Sequence, residues 1–85
     1  MPKDKGLYVV MLYEGAERPP FDREDILFES NALDFIGACE LFAEIVDWLV
    51  HGDNPYWSAI AGGRFGVVDI WNIHKRQMIS RFDYT

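Results

Sequence analysis

The chain has 85 residues, of which 49% are hydrophobic and 15% aromatic, and a net charge of -6. That length allows one domain, spanning 1-85, with a thin core, and the richness in Trp, Tyr, Phe, Ile and Val excludes a disordered chain. One cysteine, Cys39, excludes an internal disulfide framework and points to a reducing compartment, so the cytoplasm is expected.

The opening "MPKDKGLYVVMLY" departs from a secretory signal, because Asp4 interrupts its basic region and the apolar run stops at Glu14. No apolar run reaches the roughly 20 residues of a membrane span, so no membrane partner is expected. "GLYVVMLY", Gly6 to Tyr13, is apolar at both parities, as a central strand is when each face meets something apolar. Residues Glu14 to Asp25 carry paired prolines, a glycine and many charges, which predicts a surface loop. "DILFES", Asp25 to Ser30, then predicts a short strand returning antiparallel beside the first.

A helix follows, capped by Ser30 or Asn31, with Asp34 three residues after Asn31 completing a weak capping-box pattern. It ends near His51, where Gly52 suits a left-handed position and "DNP" blocks continuation. Beyond it, "YWSAI" predicts a strand, Gly62 and Gly63 a turn, and "RFGVVDIW" with "QMISRFDY" a hairpin around "NIHKR". The expected fold is α+β: an antiparallel sheet of four to five strands with one long helix packed on one face, in the order β-β-α-β-β-β.

The helix carries the main functional clue. At about 100° per residue, Glu40, Glu44, Asp47 and His51 fall within roughly 60°, and apolar side chains fill about 240° of the remainder. A helix lying on one sheet needs little more than about 100° of apolar arc. Either the Glu14 to Asp25 loop or a curled sheet covers a flank, or exposed apolar atoms are tolerated, or a flank meets another protein. The two flanks are Leu41 with Trp48, and Ile36 with Ala43 and Val50.

The aromatic-rich strands add Trp57 and Trp71 as interface candidates, since not all of Trp57, Trp71, Phe65, Phe82 and Tyr84 fit under one helix. Charge is split as well. Residues 1 to 55 hold twelve acidic and four basic side chains, a balance of -8, whereas residues 56 to 85 hold two acidic and four basic, a balance of +2. An acidic helix joined to a basic hairpin bearing Lys75 and Arg76 suits head-to-tail contact or docking on a basic protein. It argues against direct nucleic-acid binding, which draws on clustered basic charge.

Catalytic and metal motifs are weak. The two histidines, His51 and His74, are far apart, "HGD" at His51 to Asp53 reads as a helix end, and Cys39 has no basic neighbour to activate it. "GGRFG", Gly62 to Gly66, matches no phosphate-loop pattern, and Asp22, Glu24 and Asp25 read as a charged loop. No cofactor, metal or catalytic residue is assigned.

In size, acidity and strand-helix-strand layout the chain resembles the small accessory proteins that phages carry, including inhibitors of bacterial defence complexes such as anti-CRISPR proteins. The resemblance covers architecture alone and carries over no functional residue. The expected function is a non-enzymatic interaction module that binds itself, as a homodimer for instance, or a larger protein assembly, plausibly as such an inhibitor. Its interaction candidates are Leu41, Trp48, Glu40, Glu44, Asp47, Trp57, Trp71, Lys75 and Arg76. The alternative is a small enzyme or ligand-binding protein with a pocket between helix and sheet.

Overall fold

The computed structural model describes residues 6–14, 26–64 and 66–83. The elements run β1 (Tyr8–Tyr13), β2 (Ile26–Glu29), α1 (Phe35–His51), α2 (Pro55–Ala61), β3 (Val67–Asn72) and β4 (Gln77–Asp83). The α+β class is as expected, with a four-stranded antiparallel sheet in the order β2-β1-β3-β4. The expected loop, beyond Glu14, and the aromatics Phe65 and Tyr84 lie outside the described residues.

The element order differs from β-β-α-β-β-β at one place: "YWSAI" is part of a helix. Asn54 and Pro55, which stop α1, also start α2. The Asn54 side-chain oxygen accepts from the N–H groups of Tyr56 and Trp57 at 3.0 and 3.4 Å, and proline at the first helical position supplies a preset φ. Gly62 closes the helix in the left-handed region at φ 59°, its N–H donating to Ser58 O. Trp57 and Ala61, four residues apart, face the core together.

The cap of α1 also moves. Asp34, rather than Ser30 or Asn31, accepts from Gly37 N at 2.7 Å, and Gly52 ends the helix at φ 72° as expected. Ser30 is drawn into the sheet instead: its hydroxyl accepts from Val10 N at 2.9 Å and donates to Asn31 O. The chain stays in the sheet plane as far as the Tyr8–Leu33 bridge before the helix begins.

Central β1 is apolar at both parities, and residues of both faces are buried, Val10 and Leu12 on one and Val9 and Tyr13 on the other. On one face Val10, Leu12, Val68 and Ile70 meet Ala38, Ile45, Trp48 and Leu49 of α1 and Trp57 and Ala61 of α2. The two helices divide this face, α1 lying over β1 and β3, α2 over β2, where Trp57 packs edge-on against Phe28 with ring centres 4.8 Å apart. Two cross-helix bonds join the layer: Trp48 Nε1 donates to Ser58 Oγ at 3.0 Å, and Trp57 Nε1 to Glu44 Oε2 at 2.7 Å.

The cap on α2 makes a specific expectation. Asn54→Ala should lower stability by about 1 kcal/mol, the usual worth of a helix cap. Its urea midpoint should fall, with tryptophan emission shifting as Trp57 loosens; an unchanged midpoint would show that packing alone holds α2.

Candidate interaction surface

The apolar excess of α1 is shared unequally between its flanks. The covered arc runs from Trp48 through Ile45 and Ala38 to Leu49, about the 100° that one helix on a sheet requires. On the Leu41 and Trp48 side α2 supplies the second layer: Trp48 is 5% exposed and Leu41 half-buried against the core. The other flank has no such cover. Ile36 is 70% exposed and Val50 49%, Ala43 lies open between them, and Cys39, Phe42 and Val46 are half-buried beside them. A shallow groove of about 420 Å³ runs along this flank, lined by Phe42, Ala43, Val46, Asp47, Val50 and His51.

The acidic stripe borders the open flank. Glu44 is engaged by Trp57, and Asp47 Oδ1 sits 3.0 Å from His51 Nδ1, a contact within the last turn of α1. Glu40 is exposed and has no polar partner among the described residues. The helix contains no lysine or arginine, so its charge is uniformly acidic.

The remaining sequence candidates separate. Trp57, 1% exposed, is a core residue of α2. Trp71, half-buried, lies on the sheet face opposite the helices, while Lys75 and Arg76 are exposed in the β3–β4 turn. That turn is shaped by Asn72, whose side-chain oxygen accepts from Lys75 N at 3.0 Å, and by Arg76 at φ 53°. Hydrophobic Ile73, Met78 and Ile79 stand exposed around it. Ile79 is the extra residue of a bulge, because Ile70 and Trp71 pair with Ser80 and Met78. Only its place beside a charged turn hinted at such exposure in the sequence.

Toward the other end of the same face lies a buried polar network. Asp69, fully buried, accepts from Tyr13 Oη at 2.7 Å, from Trp71 Nε1 at 3.1 Å and from Arg81 Nε at 3.0 Å. Arg81 also donates to Tyr13 Oη from Nη2. These groups come from β1, β3 and β4, and register sets Asp69 directly opposite both Met11 and Arg81. Sequence reading missed the network because Tyr13 and Arg81 lie 56 and 12 residues from Asp69, a separation only strand pairing closes.

Burial first, then the bond to Asp69, raises the Tyr13 phenol above its usual value of about 10. The Arg81 guanidinium is held charged, chiefly by its hydrogen bond to Asp69. Each buried side-chain polar atom among the described residues has a partner, so the network is internally satisfied.

Pockets formed by described residues open at the surface: the α1 groove, a hollow of about 270 Å³ where α1 and α2 end, and one of about 230 Å³ on the sheet's second face. Between helices and sheet the space is filled by Val10, Leu12, Ile45, Val68 and Ile70. No three of His, Cys, Asp and Glu form a metal-holding group among the described residues, and no helix there is long and apolar enough to cross a membrane. Set against known proteins, the chain matches no family model, no curated protein and no solved structure.

The Tyr13 shift fixes a direction with pH. The phenol ionises more easily unfolded than folded, so its contribution is complete below about pH 10 and is lost as the pH rises above that value. Urea melts from pH 8 to about 11 should show stability falling, and Tyr13→Phe should remove part of that slope; equal slopes would mean another group governs the alkaline limb.

Proposed function

We propose that this protein is a non-enzymatic interaction module whose binding surface is the open flank of α1, with Ile36, Ala43 and Val50 as apolar contacts and the acidic stripe as its charged border. The observation that carries this reading is the exposure of Ile36 and Val50 on a helix whose opposite flank, Leu41 and Trp48, packs against the core. An apolar strip rimmed by charge is the usual anatomy of a docking surface: the strip supplies affinity, the rim orientation and encounter rate. A partner with basic side chains beside an apolar ridge matches both parts.

Inhibition of a larger assembly, in the manner of the phage-carried proteins that the layout resembles, is one use of such a surface. A small acidic body can occupy a basic groove and exclude its normal occupant. Size, acidity and layout support that version.

Trp48 belongs to the fold rather than to this surface. Truncating it to alanine should cost about 3 to 5 kcal/mol, as for other buried aromatics, and would confuse loss of binding with loss of structure. Val50→Glu is the informative change, since an exposed substitution of this kind usually moves stability by no more than about 0.5 kcal/mol. The wild-type chain, immobilised, should retain a partner that Val50→Glu does not, either another protein or, when bait and probe are the same variant, further copies of itself. Their melting temperatures should agree. Identical capture by the two chains would overturn the α1 surface as the binding site.

A further inference from the structure

We infer that the occupant of the α1 flank is a second copy of this chain, docked head to tail through the turn of its β3–β4 hairpin. The inference rests on the interaction reading above and names the partner that reading leaves open.

The chain carries both halves of a complementary pair. One half is acidic and apolar: Ile36 and Val50 beside Glu40 and Asp47. The other is basic and apolar: Ile73 and Met78, exposed beside Lys75 and Arg76. The side chains of Lys75 and Arg76 make no polar contact among the described residues, so both cations remain available. Opposite charges beside matching apolar surface favour encounter and set orientation.

The second half also has a receptor. A pocket of about 230 Å³ opens next to the turn, with Val9, Met11, Trp71 and Ile73 as its apolar lining and Arg76 and Glu29 among its polar residues. Glu29 already has an interaction of its own. An aliphatic side chain from a neighbouring α1 would extend the apolar contact.

Antiparallel symmetric pairing of two α1 flanks is disfavoured by charge. A two-fold axis that sets the helices antiparallel places both acidic stripes on the same side of the seam, and α1 has no lysine or arginine to compensate. Like charges so placed oppose association. Head-to-tail contact instead sets each stripe beside a basic turn. The helix covers one face of the sheet and the pocket opens on the other, so one copy can use both surfaces at once and assembly closes as a ring or grows as a filament.

Complementation of blocked variants tests this. Light scattering during size-exclusion chromatography should show the wild type above its 9.9 kDa monomer mass, with mass rising with concentration. The rise should shrink between about 0.01 M and about 1 M salt, as the screening length drops from about 30 Å to about 3 Å. Ile36→Glu with Val50→Glu blocks the helix half, and Lys75→Glu with Arg76→Glu blocks the hairpin half; each double variant alone should be monomeric. Mixed in equal amounts, they should form one dimer of twice the monomer mass, because one good surface of each kind survives. Should the helix variant not fold, Glu40→Lys with Asp47→Lys replaces it. A monomeric wild type at every concentration would overturn the inference while leaving the α1 surface to a different protein. Association lost with the helix variant but kept with the hairpin variant would overturn it in favour of symmetric pairing. Association untouched by either would overturn both this inference and the interaction reading.

Discussion

The hydrogen bonds that two tryptophans send across the α1–α2 junction decide which side of this protein is core and which is surface. Trp48 reaches Ser58 and Trp57 reaches Glu44, so each indole, too large to bury without a partner for its N–H, finds that partner on the opposite helix. The pair brings α2 against one flank of α1. A second layer on that side leaves the opposite flank without one, and the asymmetry of the molecule follows from it. Glu44, drawn out of the acidic stripe to serve Trp57, shows how one residue can belong to the charged surface and to the packing together.

A second constraint works on the far face of the sheet. Asp69 is fully buried among partners from neighbouring strands, and a buried carboxylate without Arg81, Tyr13 and Trp71 would be strongly unfavourable. Its effect is to specify register. A slip of one residue along β3 or β4 would turn Asp69 or Arg81 to the helix face and leave an unpaired charge in the core. Charge in this protein therefore has two roles. One carboxylate is closed in to fix the sheet, whereas Glu40 and Asp47 stay at the surface, where they can meet another molecule.

The two surfaces proposed for association follow from where the helices and the hairpin lie. The α1 flank is open because α2 took the other side. The hairpin surface, with Ile73, Met78 and Ile79 exposed around the turn, carries a bulge at Ile79 and a left-handed Arg76. Both combine aliphatic side chains with charged ones, acidic along α1 and chiefly basic at the hairpin turn.

The sequence by itself determined the class of fold, the position of the first strand, the end of α1 at His51, the hairpin and the excess of apolar arc on the helix. Each rests on local pattern: periodicity, a glycine in the left-handed region, the spacing of turn residues. It misjudged "YWSAI", since a short run of aromatic and small residues is compatible with strand or helix, and the Asn54–Pro55 pair that reads as a stop for one helix is also the start of another. Only the tertiary structure decided which tryptophans are exposed, which flank of α1 is free, and that Asp69 lies between Tyr13, Trp71 and Arg81. Those outcomes depend on where α2 docks and on strand register, and both are set by contacts between residues far apart in the chain, which no local pattern records.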